Sequence, residues 1–247
     1  MVKPFPHVDA APKRPGPAPR PGSGPAAGQA PGQAPGQAGV MVRNLFPTPI
    51  ALLQLPDAER INDALEAAVL ERERAVGSVQ HSNLGGWQSP TDFPRWSGDA
   101  GRVVLETATK LADQLTADRQ GRPIKVKWRM NAWANVNRSG HGNEFHTHPG
   151  AYWSASYYVR DGGCAADPAL GGAFEIADPR GIGPAMLAPE LAFATKGGVS
   201  VGMAESVRPV PGLLVMFPSW LSHAVGTYRG DQVRISIAMN LTPVDAG

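Results

Sequence analysis

Hydrophobic residues recur at helical spacing in two stretches of the first half of the chain. After Pro56, apolar or long side chains return every three or four positions, Asp57 suits the N-cap of a helix, and Gly77 can end it. This stripe is Ile61, Leu65, Ala68, Val69, Arg72 and Val76. A second stretch, 99–117, places on one face Val104, Ala108, Leu111 and Leu115. Both patterns predict helices that support a sheet.

After Gly121 the pattern changes to that of strands. The predicted strands cover 124–137, 151–159, 173–176, 213–217 and 233–241. In the last of them Val233, Ile235, Ile237 and Met239 point one way, while the residues that point the other way are Arg234, Ser236, Ala238 and Asn240. One face therefore packs on apolar neighbours and the other faces something polar. Helices followed by many antiparallel strands predict an α+β chain with N-terminal supporting helices and a jelly-roll barrel, the double-stranded β-helix.

Composition changes this picture mainly at the N-terminus. Residues 1–40 consist largely of Pro, Gly, Ala and Gln, which cannot fill a core, so we predict a disordered tail followed by one domain at 41–247. The net charge is +2 and the basic residues are scattered, which argues against nucleic acid as a partner. The longest apolar run, Leu213–Phe217, is too short to cross a membrane, and no secretory signal is visible, so we expect a cytoplasmic protein. Small molecules or peptides are the expected partners.

Three histidines carry the candidate chemistry. On a strand, residues two apart project from the same face, so His146 and His148 can present two imidazoles to one metal ion. His223 follows the apolar strand 213–217 and the bend after it, which could deliver a third imidazole. Three protein ligands on one side of a metal leave positions open for a co-substrate and oxygen, as non-haem Fe(II) oxygenases require.

Arg234 and Ser236 are the second part of the pattern. An inward-facing guanidinium is costly unless a carboxylate meets it, and its planar fork binds a carboxylate through two hydrogen bonds. Ser236 faces the same way and can add a hydroxyl to the same group. The pair predicts a site for an oxoacid co-substrate. Arg180, in a loop, is a weaker candidate for meeting an acidic substrate.

Three segments resemble a family of 2-oxoglutarate- and Fe(II)-dependent oxygenases from bacteria and phages, related more distantly to the prolyl hydroxylases. They are Asn143–Val159, Phe217–His223 and Arg234–Asn240, and Ser82–Ser89 is similar to the N-terminal part of that family. The resemblance implies a cupin-like barrel over 41–247 that uses Fe(II), 2-oxoglutarate and O2, with ascorbate as a candidate reductant. It implies a dioxygenase that hydroxylates a C–H bond of an amino acid, peptide or small metabolite and releases succinate and CO2, with desaturation as an alternative to hydroxylation.

The resemblance also suggests roles for single residues. His146 and His223 match the two histidines of the family's metal triad, Arg234 matches the residue that anchors the distal carboxylate of 2-oxoglutarate, and Tyr158 matches a tyrosine that assists it. His148 stands where the family has a carboxylate. We expect His148 itself as the third ligand, with Glu144, Glu175 or water as the alternatives.

Two other functions stay open at this point. A cupin-like three-histidine metalloenzyme that does not use 2-oxoglutarate would explain His148 but leave Arg234 without a purpose. A non-catalytic binding module with a structural metal would use the Pro-rich tail to recruit a partner. Binding of 2-oxoglutarate separates the oxygenase from both.

Overall fold

The structure, a computed structural model, describes residues 45–181, 191, 193 and 204–244. The predicted disordered tail, 1–40, lies outside the described residues. Two α-helices are present in the described part, α1 (Ala58–Ala75) and α2 (Gly98–Leu115), with short 3-10 helices at Phe93–Arg95 and Pro168–Leu170. The strands are β1 (Ala51–Gln54), β2 (Asn83–Leu84), β3 (Trp87–Gln88), β4 (Lys127–Asn137), β5 (Gly142–His146), β6 (Trp153–Asp161), β7 (Phe174–Ala177), β8 (Ala204–Val207), β9 (Leu213–Pro218), β10 (His223–Val225) and β11 (Arg234–Val244).

The strands form two antiparallel sheets. The larger sheet has the order β1-β9-β6-β11-β4-β3, and the smaller sheet has the order β2-β5-β10-β7-β8. The longest pairing joins β11 to β4 along their whole length, from Arg234 opposite Asn137 to Val244 opposite Lys127. Among the described residues the sheets do not close into one continuous barrel. The architecture is the predicted α+β arrangement, with the helices ahead of the sheets in the chain.

Both helices cover one face of the larger sheet. The stripe residues Ile61, Leu65 and Val69 of α1 are buried, and α2 buries Val104, Ala108 and Leu111 in the same cluster. A buried hydrogen bond fixes α1 to β6, since the Tyr157 hydroxyl donates to Asn62 Oδ1 at 2.7 Å. The helices therefore act as the predicted supports.

Strand β11 shows how the sequence pattern positions the site. Its residues Ile235, Ile237 and Met239 are buried in the cluster under the helices. The alternate residues point to the opposite face, where Ser236, Ala238 and Asn240 line a cavity between the sheets. A smaller apolar cluster, which includes Tyr158, Phe174, Val215 and Phe217, fills the rest of the space between the sheets. The predicted apolar and polar faces of this strand are confirmed.

Two local predictions were wrong in detail. Strand β5 ends at His146, so His148 lies in the following loop and is not on a strand. Pro149 follows it and cannot donate to a strand ladder. Asp57 stands at the N-cap position of α1, but it adopts a left-handed conformation (φ 52°) and its side chain caps nothing.

The two helices of the described part are also too polar to span a lipid bilayer.

Candidate metal centre

His146, His148 and His223 converge at one end of the space between the sheets. One ring nitrogen from each lies within 4.8 Å of those of the other two. The ring centroids are 4.3 Å apart for His146 and His223, 4.9 Å for His146 and His148, and 5.0 Å for His148 and His223. The pairing of β10 with β5 sets His223 directly opposite His146, so both side chains leave the same face of the smaller sheet.

Backbone carbonyls fix the tautomer of two of these rings. His146 Nδ1 lies 2.7 Å from the carbonyl oxygen of Glu144, and His223 Nδ1 lies 2.8 Å from that of Leu221. A carbonyl oxygen only accepts, so each Nδ1 carries the proton and donates. Each Nε2 of a neutral ring therefore keeps a lone pair, which is the orientation common for histidine ligands of metals.

The electrostatics of the cluster keep two rings neutral. Burial, with a smaller contribution from His146, lowers the pKa of His148 to about 4. Burial likewise lowers the pKa of His223 to about 3, and the hydrogen bond to Leu221 opposes this only in part. Both imidazoles are therefore neutral near pH 7, and neutral imidazole is the form that binds a metal.

No carboxylate joins this cluster among the described residues. Glu175 is paired with Ala224, whose neighbours His223 and Val225 point to the opposite face, so Glu175 points away from the imidazoles. Glu144 is exposed at the edge of the cavity and is not a member of the cluster. Of the protein groups considered for the third ligand, His148 is the one that lies beside the other two histidines.

Arg234, Ser236 and Tyr158 form a second group on the facing sheet. Ser236 is directly opposite Tyr158 in the pairing of β11 with β6, and the Arg234 guanidinium lies 5.4 Å from the centre of the Tyr158 ring. All three residues are buried. Burial lowers the pKa of Arg234. The ordinary pKa of a guanidinium is so far above neutral, however, that the side chain stays charged near neutral pH.

The guanidinium and the phenol each keep a buried donor that has no partner in the described part of the chain. Arg234 Nε donates to the carbonyl oxygen of Gly172 at 3.2 Å and Nη1 donates to Asn137 Oδ1 at 3.5 Å. Nη2 and the Tyr158 hydroxyl are buried and make no hydrogen bond with any residue that the structure describes. Ser156 is near enough to affect the Tyr158 pKa, which burial raises overall, but no hydrogen bond of good geometry joins the two hydroxyls. Unpaired buried donors beside a fixed positive charge fit an incoming carboxylate.

A cavity of about 570 Å³ connects the histidines with the facing sheet. Its walls carry Ser236 of β11, the three histidines, and the apolar rings of Trp133, Phe174 and Phe217. Phe217 and Phe174 pack against His223, with ring centroids 4.6 Å and 5.3 Å away. Trp133 meets His148 edge-on at 5.8 Å. The imidazoles are thus shielded from water on the apolar side of the cavity.

Sequence reasoning did not predict three contacts that the structure shows around the site residues. Ser82 Oγ lies 3.4 Å from His146 Nε2, although the sequence marked its segment only by resemblance. Asn137 and Gly172 orient Arg234, and neither was assigned that role. The pair Gly171-Gly172, both with positive φ, was the available signal for a close approach of backbone. Arg180, a weak candidate for an acidic substrate, instead pairs with Asp178 at 2.6 Å.

The comparison with protein families bears directly on this arrangement. A family model described as "Putative 2OG-Fe(II) oxygenase" matches residues 131–240, which contain all six predicted site residues. This segment of the chain, 131–240, is therefore similar to the 2OG-Fe(II) oxygenase family. The cofactors of that family are Fe(II), 2-oxoglutarate and O2, and the three-histidine cluster fits iron. No curated protein matches the chain.

Solved structures give the same fold at low sequence identity. A prolyl-4-hydroxylase from Pseudomonas putida is 17% identical, with 78% of this chain and 91% of that chain covered and a TM-score of 0.54. A prolyl hydroxylase in complex with a hypoxia inducible factor peptide fragment from Trichoplax adhaerens is 12% identical, with 78% and 83% covered and a TM-score of 0.55. AviO1 from Streptomyces viridochromogenes is 16% identical, with 80% and 90% covered and a TM-score of 0.53. The chain thus has the predicted jelly-roll fold.

Proposed function

We propose that the oxygenase hydroxylates a C–H bond of an amino acid, a peptide or a small metabolite. The balance of the reaction is one O2 and one 2-oxoglutarate consumed for each C–H converted to C–OH, with succinate and CO2 released. In this proposal His146, His148 and His223 hold Fe(II), and Arg234, Ser236 and Tyr158 bind the distal carboxylate of 2-oxoglutarate. The iron supplies the activation of oxygen, and the protein supplies placement.

The observation that carries the proposal is the unpartnered Nη2 of a fully buried arginine, beside the unpartnered Tyr158 hydroxyl. Burying a charge without pairing all of its donors costs free energy, so a fold that keeps it has a use for it. A carboxylate would accept from both groups, and Ser236 can add a third donor. Gly172 and Asn137 hold the guanidinium in place before the co-substrate arrives.

The histidines contribute because His148 and His223 are neutral and because two of the three rings are oriented by hydrogen bonds. The carbonyls of Glu144 and Leu221 hold the rings of His146 and His223 through Nδ1, so neither ring has to turn when Nε2 binds a metal. The aromatic wall formed by Phe174 and Phe217 excludes water from one side of His223. Exclusion of water protects the substrate position from side reactions.

Anaerobic spectroscopy tests this function. Fe(II) and 2-oxoglutarate added together should give a weak visible charge-transfer band, which neither gives alone. His223→Ala should remove the band, and His81→Ala should keep it, because His81 lines the cavity but lies outside the cluster. An unchanged spectrum for His223→Ala would contradict the metal assignment.

The use of 2-oxoglutarate is tested separately. A second candidate function is a three-histidine metalloenzyme that does not need 2-oxoglutarate. The observation that favours it is His148, which stands in place of a carboxylate. Oxygen consumption and succinate release should both require added 2-oxoglutarate if the proposal is right. Oxygen consumption that is the same with and without 2-oxoglutarate would favour the second candidate.

A further inference from the structure

The paired strands β4 and β11 continue the cavity wall outward as a regular series of side-chain pairs. On the face that points to the cavity, Asn137 pairs with Arg234, Asn135 with Ser236, Trp133 with Ala238 and Asn131 with Asn240. Two further pairs lie beyond the cavity on the same face, Arg129 with Thr242 and Lys127 with Val244. We call Lys127 and Arg129 the outer cations. The alternate residues of β4, which include Ala132 and Ala134, are buried under the helices. The residues of the paired series therefore point to the opposite face of the sheet, away from the helices.

The outer cations are available to a ligand. Both side chains are exposed, and neither forms a salt bridge with a residue in the described part of the chain. Their partners Thr242 and Val244 carry no charge. An anion bound at this end of the wall would therefore meet two positive charges without displacing an internal partner.

Apart from the group around Arg234, which the proposed function assigns to 2-oxoglutarate, the cavity has no positive charge to attract an anion. Among the described residues no lysine or arginine lines it, and the one acidic residue that does, Glu144, belongs to the opposite sheet. Glu144 repels an anion on that side, whereas Lys127 and Arg129 attract one at the end of β4. A substrate with one acidic group would thus be bound in one direction only.

The neutral part of the wall is rich in amides. Asn131, Asn135, Asn240 and Gln88 all line the cavity. A carboxamide can both donate and accept, which matches the N–H and C=O groups of a peptide backbone. The wall between the histidines and the outer cations is suited to a chain with repeated amide groups.

Strand geometry gives the length of the substrate that fits. Arg129 lies four residues before Trp133, which is about 13 Å at roughly 3.3 Å per residue of strand. The Trp133 ring contacts His148 of the metal cluster. An extended peptide rises by about the same amount per residue, so the distance corresponds to about four residues.

On the basis of the oxygenase function proposed above, we propose that the substrate is an extended peptide segment with an acidic side chain about four residues from the hydroxylated residue. The acidic group binds Lys127 and Arg129, and the amide side chains of the wall bind the backbone between the two points. Glu144 keeps the acidic end away from the opposite sheet.

Binding of labelled peptide pools tests the substrate class. Three pools of nine-residue peptides, blocked at both ends, are randomised among neutral residues except for one adjacent pair, which is Glu-Glu, Gln-Gln or Lys-Lys. Fluorescence anisotropy is measured anaerobically at low salt with the protein loaded with Fe(II) and 2-oxoglutarate. The Glu-Glu pool should bind about five- to tenfold more tightly than the Gln-Gln pool, and added salt should remove the difference, because both cations are exposed.

Two double variants locate the preference. K127Q/R129Q should bring the Glu-Glu and Gln-Gln pools within about twofold of each other. R74Q/K110Q removes the same charge from exposed positions on the helices, which cover the other face of the larger sheet, and should keep the preference. A melting temperature close to that of the wild type is the check that each variant is folded.

Several outcomes would overturn the proposal. They are equal binding of the three pools, tighter binding of the Lys-Lys pool, binding of none of them, and a preference that survives K127Q/R129Q or disappears equally in R74Q/K110Q. The charge-transfer band is recorded on the same samples. A band without acidic preference counts against the peptide proposal alone, and acidic preference without a band counts against the oxygenase function alone.

Discussion

At the scale of single residues, the three histidines are not equivalent. His146 and His223 each donate from Nδ1 to a carbonyl two residues earlier in the chain, and this local contact sets the ring before a metal binds. The ring of His148 contacts Trp133 and the other two histidines, but it makes no hydrogen bond with a residue in the described part of the chain. His148 stands where the resemblance places a carboxylate, so its role needs a direct test.

Removal of the His148 ring should weaken metal binding. His148→Ala takes away one of three imidazoles, and loss of even an outer partner of a ligand typically costs 10- to 100-fold in metal affinity, so we expect a loss of about tenfold or more. Glu144→Gln and Glu175→Gln are the controls and should stay within about twofold of the wild type. Titration with Mn(II), followed by electron paramagnetic resonance, measures all three. A glutamate variant that loses as much affinity as His148→Ala would show that a carboxylate is the third ligand.

Site residues could be predicted from the sequence where they alternate with apolar residues along a strand. Arg234 and Ser236 were recognisable because apolar residues alternate with them on β11, where Ser236 lines the cavity and Arg234 has the same parity. Asn137 and Gly172 were not recognisable as partners of Arg234, because each contact depends on which strand or loop lies beside β11. The sequence of β11 does not indicate which strand or loop packs beside it.

At the scale of elements, the long regular segments were predictable and the short ones were not. The helical stripe of α1 and the alternation of β11 extend over many residues, so the pattern outweighs local exceptions. β2 and β3 have two residues each and β10 has three, which is too short for any periodicity to show. These short strands nevertheless bring Ser82 and His223 to His146, so the least predictable elements complete the metal cluster.

The loop before β7 is the element that holds Arg234 in position. Gly172 adopts φ +70°, and a Cβ added there would lie 3.1 Å from Cys164 Sγ and 3.4 Å from Arg234 Cδ and Nε. Its carbonyl oxygen is also the acceptor for Arg234 Nε. The loop and the guanidinium therefore cannot move independently of each other.

Gly172→Ala should separate backbone strain from the placement of Arg234. Alanine at a positive φ costs about 1–2 kcal/mol, and Gly121→Ala, at φ +78° with nothing within 4 Å, carries the same strain in open space. Both variants should lose about that much free energy of unfolding in urea. Only Gly172→Ala should also weaken 2-oxoglutarate binding, by about tenfold, in calorimetry of the metal-loaded protein. Equal 2-oxoglutarate affinities in the two variants would contradict a positioning role for this loop.

At the scale of the whole molecule, the order of elements predicted the fold class, but strand pairing could not be predicted. β1 pairs with β9, and Ala51 lies opposite Met216 in that pairing. Contacts so far apart in sequence depend on the total packing of both sheets, whereas helix stripes depend on neighbours within a few turns. The tail at 1–40 and the domain boundary at 41 stay predictions from composition.

Binding of a metal at the histidines and of 2-oxoglutarate at Arg234 should each raise the free energy of unfolding of the domain, because a ligand that binds only the folded state stabilises it. At 100 times its dissociation constant a ligand adds about 2.7 kcal/mol, or roughly 5–10 °C in melting temperature for a domain of this size. Mn(II) should raise the melting temperature, and 2-oxoglutarate should raise it further. Arg234→Lys keeps the charge but not the planar fork, so its melting temperature should respond to Mn(II) and lose most of the further increment from 2-oxoglutarate. If 2-oxoglutarate raised the melting temperature of Arg234→Lys as much as that of the wild type, the co-substrate carboxylate would bind elsewhere.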